Sequence, residues 1–295
     1  MRLISSIGLL SLVASIALLP AATRVRGAEP TKANIVFAAV DGHELKLDLY
    51  LPKNVAKPPL VVYIHGGSWR AGSYKKCLTY WLTEEGFAVA SISYRFSQEA
   101  VFPAQIHDCK AAVRWLRGHS NEFGYDATRV GVAGSSAGGH LALLMGVTGG
   151  VKEYEGSIGS NADQSSSVQA VADFYGPSDF ILRSKNQPAK TEPEEVPVCQ
   201  LIGGPVSKNE DQARFASPVF QVNEGDAPLL IIHGDKDATV YLDQSQRMEE
   251  VYRKVGLEVA LQVVQGAGHG GDAYSAPELR KTVATFFKKH LGPVR

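Results

Sequence analysis

Cysteine is scarce in this sequence, and its spacing does not suit a metal site. The 295 residues include only three cysteines, at positions 77, 109 and 199. An odd number allows at most one intramolecular disulfide, and none of the three has zinc-ligand spacing to another cysteine or to a histidine. The histidines also lack the His-x-x-x-His and His-Glu-x-x-His patterns of metallohydrolases. We therefore expect no bound metal and interpret the cysteines as core or incidental residues.

The sequence also has no excess of charge of either sign. It contains 30 basic and 30 acidic residues, so no global field would draw the protein to nucleic acid or to an acidic membrane surface. Internal repeats and heptad runs are missing as well, which excludes solenoids and coiled coils. The length and the even spread of short apolar segments favour one large α/β domain.

A long apolar run occurs at the N-terminus. A basic residue precedes apolar residues 3–19, and small residues follow, which is the pattern of a secretory signal. We predict a signal peptide over residues 1–28, cleaved after Ala22 or Ala28. The mature protein would then be secreted or periplasmic, with no stable membrane association. An uncleaved anchor is the alternative, but the run is near the lower length for a membrane span.

Beyond this segment, short apolar strands alternate with helices. Residues 34–40 and 44–51 are predicted strands around an Asp-Gly turn, which indicates an antiparallel edge. The continuous apolar run 60–64 is typical of a strand buried on both faces. Further strands are predicted over 87–92, 129–133, 168–174, 228–232 and 258–264, and helices over 76–85, 103–119, 140–144, 244–255 and 277–290. This alternation predicts a mainly parallel sheet with helices on both faces.

Residues 180–226 interrupt the alternation. They contain five prolines and a cluster of glutamates, which argues against a core strand. We interpret them as an excursion over the carboxyl edge of the sheet, inside a single domain that spans residues 29–295. A flexible linker between domains is the alternative. The apolar pairs at 201–202 and 219–220 argue against a linker because they need partners to pack against.

A Gly-x-Ser-x-Gly motif at residues 134–138 lies between a predicted strand and a predicted helix. So tight a turn would force Ser136 to positive φ and lift its hydroxyl above the sheet edge. The N–H of Ala137, at the start of the helix, would point toward an oxyanion formed there. The motif alone is weak, since a flexible glycine-serine turn reads the same way. The flanking strand and helix favour a nucleophile.

A serine nucleophile needs a base, and the base needs an acid to orient it. In a parallel sheet these partners come from loops after later strands. The loop after 228–232 carries Asp235 and Asp237, and the loop after 258–264 carries His269 between glycines. His269 is the candidate base. Local physics does not separate the two aspartates, because either could cap the turn.

These motifs resemble the α/β-hydrolase superfamily. The stretches Gly-Ser-Ser-Ala-Gly-Gly-His around Ser136, His-Gly-Gly-Ser-Trp at 65–69 and His-Gly-Asp-Lys-Asp at 233–237 occur in its order. Within it they are similar to hormone-sensitive-lipase-like and acetyl/feruloyl esterases, over residues 35–290. The resemblance implies an α/β-hydrolase fold, no cofactor, and Asp237 as the acid.

The resemblance also assigns the loop at 65–69. It implies that Gly66 and Gly67 lend backbone N–H groups to the oxyanion hole beside Ala137, and two glycines would allow that close approach. Where the lipase-like branch has a third glycine, this chain has Ser68. Trp69 and Tyr175 are candidate substrate-binding residues, with core packing as the equal alternative.

Together these features predict a secreted serine esterase acting on a small-molecule or carbohydrate ester. The absence of a long amphipathic lid helix argues against long acyl chains, and the resemblance implies acetyl or feruloyl groups on carbohydrates as candidates. A prolyl-oligopeptidase-like peptidase is one alternative, although no propeller-sized domain precedes the catalytic portion. A catalytically inactive binding module is another, and the three filled triad positions argue against it. No nucleic-acid partner is expected.

Overall fold

The computed structural model describes residues 29–292, so the predicted signal peptide lies outside the described residues. One eight-stranded sheet organises them, in the order β1-β2-β4-β3-β5-β6-β7-β8. The strands are β1 Lys32–Val40, β2 His43–Tyr50, β3 Pro59–Ile64, β4 Ala88–Ile92, β5 Asp126–Ser135, β6 Ala170–Phe174, β7 Leu229–Gly234 and β8 Val259–Val264. β2 pairs antiparallel with β1 and β4, and every other pairing is parallel. The predicted mainly parallel sheet with an antiparallel N-terminal edge is confirmed.

Helices follow the strands as the alternation predicted. In the described residues they are α1 Ala104–Gly118, α2 Ser120–Phe123, α3 Ala137–Val147, α4 Lys152–Glu155, α5 Phe180–Asn186, α6 Pro197–Ile202, α7 Glu210–Phe215, α8 Asp243–Lys254 and α9 Pro277–Leu291. Between residues 29 and 292, no helix is both long and apolar enough to cross a membrane.

The helix predicted over residues 76–85 is wrong. This segment forms turns and one short 3-10 helix, Tyr80–Thr83. Threonine and aromatic residues have low helix propensity, and they occupy positions 79–81 and 83 here. Trp81 and Leu82 are nevertheless buried against the sheet, so the segment contributes to the core through a turn.

The sheet carries a hydrophobic core on each face. Side chains alternate along β3, so Leu60 and Val62 pack with α1 and α3 while Val61 and Tyr63 pack with α9. Both sets are buried. A strand with apolar side chains on both faces is what the continuous run at 60–64 predicted. Helices therefore cover both faces, and the ends of the parallel strands are left to form a site.

The excursion at 180–226 is packed onto the rest of the fold. It contains α5, α6, α7 and short 3-10 turns, and no strand among these described residues. Phe180, Leu201 and Val219 are buried in the same core cluster as Leu141 of α3. These contacts pack residues 180–226, the covering segment, against the rest of the fold.

Candidate active site

Ser136 occupies a strained turn between β5 and α3. Its backbone has φ 55° and ψ −119°, a conformation that a non-glycine residue rarely adopts. A Cβ on Gly134 would lie 2.1 Å from the carbonyl oxygen of Gly138, and one on Gly138 would lie 2.1 Å from that of Ile64. Only glycine fits at these two positions. The strand, the turn and the helix have the arrangement that the motif predicted.

His269 lies between Ser136 and Asp237. Its Nε2 is 2.8 Å from Ser136 Oγ, and its Nδ1 is 2.6 Å from Asp237 Oδ2. A carboxylate only accepts hydrogen bonds, so Nδ1 carries the proton and Nε2 is free to accept one from the serine hydroxyl. The three residues predicted as catalytic thus form one hydrogen-bonded line from a buried carboxylate to a partly exposed imidazole.

Asp237 is held as a carboxylate by several donors. The amides of Thr239 and Val240 donate to Oδ1 at 2.8 and 2.9 Å, and His233 Nε2 lies 3.2 Å from Oδ2. Burial alone would raise the pKa of Asp237. The hydrogen bonds from His233, His269 and the Val240 amide lower this pKa by more, to well below its usual range. Asp237 is therefore ionised wherever a histidine base is neutral.

Asp235 has a different role in the same turn. Its Oδ1 accepts a hydrogen bond of 2.6 Å from the amide of Gly266, in the loop that carries His269. The structure thus places Asp237, and not Asp235, against the imidazole. Asp235 ties the acid loop to the histidine loop through the backbone.

His233 is a site residue that the sequence did not reveal. Its Nε2 lies 2.9 Å from the carbonyl oxygen of Val240, which can only accept, so Nε2 carries the proton. Its Nδ1 is 2.6 Å from Ser245 Oγ and accepts from that hydroxyl. The buried ring therefore directs its N–H toward Asp237 and the acid turn. The only signal in the sequence was spacing, since His233, near the end of β7, precedes Asp237 by four residues.

The loop after β3 approaches Ser136 closely. A Cβ on Gly66 would lie 3.3 Å from Ser136 Cβ and 2.7 Å from the Ser135 carbonyl oxygen. Gly67 and Ser68 both have positive φ, 124° and 56°. The amides of Gly66 and Gly67 donate no hydrogen bond to another described residue. They and Ala137, the first residue of α3, are thus available around the nucleophile, as the oxyanion-hole prediction requires.

A cavity of about 110 Å³ opens beside Ser136. Ala137, Ser68 and Trp69 line one side, and residues of the excursion line the other. Trp69 fits both interpretations offered from the sequence, because it lines the cavity and is also buried, donating from Nε1 to His140 Nδ1 at 3.1 Å.

Tyr175 is not among the residues that line the cavity of Ser136. Its ring packs edge-on against His269, with 4.8 Å between ring centroids. Its role as a substrate-binding residue stays a prediction. The Tyr175 ring supports the position of the histidine ring.

A second carboxyl group is buried under the nucleophile turn. Asp173, in β6, accepts a 2.9 Å hydrogen bond from the Gly176 amide through Oδ1, while Oδ2 has no partner among the described residues. Burial raises the pKa of Asp173 to about 7, although the nearby His233 and the Gly176 amide oppose this rise. A Cβ on Gly139 would lie 2.2 Å from Oδ1, so little space is left for water.

Asp173→Asn is expected to change how stability depends on pH. An unfolded aspartate ionises near pH 4, so between there and about pH 7 the wild type loses stability from this group as pH rises. The variant lacks this loss, and its stability relative to wild type should grow by up to about 1.4 kcal/mol per pH unit in that window. Urea unfolding at pH 5 and pH 8 measures the difference. The exposed control Asp211→Asn should show none. A difference in unfolding free energy between Asp173→Asn and wild type that is the same at pH 5 and pH 8 would contradict the expectation.

Most of the chain matches a known protein family. The model of the BD-FAE family matches residues 47–252. Esterase LipC of Mycobacterium tuberculosis is 33% identical over 234 residues, covering 77% of this chain and 57% of LipC. The chain spans about half the length of the curated relatives it matches.

Two solved structures at the same level of identity are also similar. A truncated form of a carbohydrate esterase from gut microbiota is 33% identical with a TM-score of 0.80, covering 88% of this chain and 95% of that one. A bifunctional GH43-CE protein of Bacteroides eggerthii is 33% identical with a TM-score of 0.81, covering 88% of this chain and 35% of that one.

Proposed function

Because the chain belongs to the BD-FAE family of α/β-hydrolases, we propose that it hydrolyses carboxylic esters through Ser136, His269 and Asp237. The observation that carries the proposal is the hydrogen-bonded line of these three side chains, which ends at a cavity beside the serine. In this proposal the enzyme forms and then hydrolyses an acyl-serine.

In the first half-reaction, Ser136 Oγ attacks the ester carbonyl carbon while His269 Nε2 takes the hydroxyl proton. The resulting imidazolium is stabilised by the Asp237 carboxylate, 2.6 Å from Nδ1. The tetrahedral intermediate then collapses. The bond to the alcohol oxygen breaks, and His269 returns its proton to that oxygen, so that a neutral alcohol leaves.

The second half-reaction repeats these steps with water. His269 Nε2 takes a proton from a water molecule that attacks the acyl carbon, and the carboxylic acid leaves as Ser136 regains its proton. In both halves the negative charge lies on the former carbonyl oxygen. The amides of Gly66, Gly67 and Ala137 are the candidate donors to it, and loss of one such donor typically costs about 3 kcal/mol of transition-state stabilisation.

A fluorophosphonate probe tests the proposal, because it reacts with activated serines. We expect labelling of the wild-type protein and none of Ser136→Ala. Ser135→Ala is the matched control, since Ser135 Oγ bonds Tyr63 Oη at 2.9 Å and has no place in the reaction. It should still be labelled. Folded wild-type protein that resists the probe would favour the inactive binding module.

The size of the cavity supports short acyl groups. About 110 Å³ beside Ser136 suits acetyl better than the much longer feruloyl group, and the excursion supplies short helices without a broad apolar lid. One of the similar structures, 33% identical to this chain, is named as a carbohydrate esterase. We therefore propose acetyl esters of carbohydrates as the natural substrate class.

On p-nitrophenyl esters we expect kcat/KM to be highest from acetate to butyrate and to fall at least about tenfold by octanoate, because one misfit methylene typically changes transition-state binding by about 1–3 kcal/mol. Val198 of α6 lines the cavity. Val198→Ala enlarges the cavity and should shift the acyl length at which kcat/KM falls toward longer chains. A profile that rises with chain length would reject the short-acyl assignment. Efficient cleavage of prolyl amides with poor ester turnover would favour the peptidase alternative.

A further inference from the structure

The cavity of Ser136 is lined by two cations. Arg183 comes from α5, and Lys190 ends the 3-10 turn that follows it. Among the described residues that line this cavity there is no aspartate or glutamate. A small pocket with two positive groups and no negative one attracts anions.

Arg183 is buried without a carboxylate partner. It is 6% exposed, its Nη2 donates to the Thr239 carbonyl oxygen at 2.9 Å, and its Nε has no partner among the described residues. Burial lowers the pKa of Arg183 to about 10, and the more distant Asp237 and Asp243 oppose this only in part. A buried cation is costly unless it is paired.

Other buried cations in the described fold are paired. Lys110 and Arg114 both bind Glu155, at 2.7 and 3.1 Å. Arg183 forms no such ion pair with a described carboxylate, and it lines the cavity of Ser136.

Nearby acidic residues do not neutralise the cavity. Glu192, in the same excursion, accepts hydrogen bonds from Ser184 and Ser207 and does not line the cavity. The Asp237 carboxylate is occupied by its own donors. A carboxylate that enters with the substrate would therefore meet Arg183 and Lys190 in a cavity whose own lining has no aspartate or glutamate.

We propose that Arg183 and Lys190 bind a carboxylate carried by the ester substrate, so that the enzyme prefers acidic esters to neutral esters of the same size. The inference rests on the proposed esterase function and specifies its substrate class. The carboxylate could belong to the acyl group, as in a dicarboxylic half-ester, or to the alcohol, as in an acetylated uronic acid. Arginine suits either source, because its planar guanidinium binds carboxylates through two donors.

Matched substrate pairs distinguish the two sources. p-Nitrophenyl hemisuccinate against p-nitrophenyl butyrate tests the acyl side, and acetylated galacturonic acid against acetylated galactose tests the alcohol side. At low salt we expect kcat/KM to favour the acidic member of one pair by about tenfold or more, the usual range for a hydrogen bond to a charged group. The preference should shrink as salt screens the attraction.

Variants test the roles of Arg183 and Lys190. The measured quantity is the ratio of kcat/KM for the acidic ester to kcat/KM for its neutral partner. Arg183→Gln should lower the ratio about tenfold, Arg183→Lys should keep part of it, and Lys190→Gln should lower it less because Lys190 is exposed. Lys185→Gln is the matched control, an exposed lysine of α5 that does not line the cavity, and should leave the ratio unchanged. Loosening of the acid loop through Thr239 would lower both rates and leave the ratio as it was.

The inference and the proposed function fail separately. A wild-type ratio at or below one for both pairs, with neutral esters still hydrolysed, would overturn the inference alone. An unchanged ratio in Arg183→Gln would do the same. Absence of hydrolysis of every ester would reject the proposed function. In that case, calorimetry would measure the binding of succinate and galacturonate to the Ser136→Ala variant. Binding that Arg183→Gln weakens would still support the carboxylate site, and no binding of either anion would overturn it.

Discussion

Ser136→Ala and His269→Ala should each lower kcat for p-nitrophenyl acetate by about 10⁶, because the members of a catalytic triad act as a unit. Without the hydroxyl no acyl-enzyme forms, and without the imidazole nothing removes the serine proton. The double variant should be little worse than either single one. Stopped assays on purified protein, with residual activity compared to buffer, measure the effect.

The fold should survive both substitutions. The hydrogen bond of Ser136 Oγ to His269 is the only one that this hydroxyl makes within residues 29–292, and alanine meets the same backbone strain that serine already bears at φ 55°. Circular dichroism and the melting temperature provide the control. Turnover near that of wild type in folded Ser136→Ala would refute the mechanism.

Asp237→Asn should reduce kcat by about 10⁴, the scale seen when an amide replaces the acid of a triad and reverses the imidazole tautomer. The new amide group would donate toward His269 Nδ1, so that Nε2 would carry the proton and could no longer accept from Ser136. It would also face the N–H of His233, 3.2 Å from Oδ2. Some loss of stability is therefore expected in addition.

Asp235→Asn is the matched control for this experiment. The amide of Gly266 donates to Asp235 Oδ1, and an asparagine oxygen can accept that bond equally well. We expect kcat close to that of wild type, because the substitution leaves the reacting groups and the hydrogen bond to Gly266 in place. Equal losses in the two variants would leave no basis for assigning the acid to Asp237, and a larger loss in Asp235→Asn would reverse the assignment.

Strands and helices were predictable from the sequence where a pattern of apolar residues is compatible with only one kind of secondary structure. The apolar run at 60–64 and the alternation of strands and helices leave little choice but a parallel sheet. Ser136 was predictable because its glycines and its flanking elements impose the same turn. The segment 76–85 was not, because its apolar spacing suited a helix while its threonines and aromatic residues disfavoured one.

The site was predictable to the extent that its residues follow strands. His269 lies after β8 as expected, whereas the choice of Asp237 over Asp235 depends on which carboxylate the turn points at the imidazole, and local sequence does not encode that direction. His233 and Arg183 were missed for a related reason. Both residues reach the site only through contacts made by tertiary folding. His233 contacts Asp237 across the turn after β7. Arg183 lies on α5, in a segment whose proline-rich composition predicted no regular structure.

The hydrogen bonds of α5 to the acid turn bear on how this enzyme could be re-engineered. Arg183 donates a hydrogen bond to the carbonyl oxygen of Thr239, and Gln187 Nε2 donates one to the carbonyl oxygen of Ala238 at 3.3 Å. These bonds connect the covering segment to the turn that holds Asp237. The covering segment is consequently not an interchangeable module. A chimaera that takes residues 180–226 from a relative must bring matching donors with them, or new selectivity will come with a displaced acid and a slower enzyme.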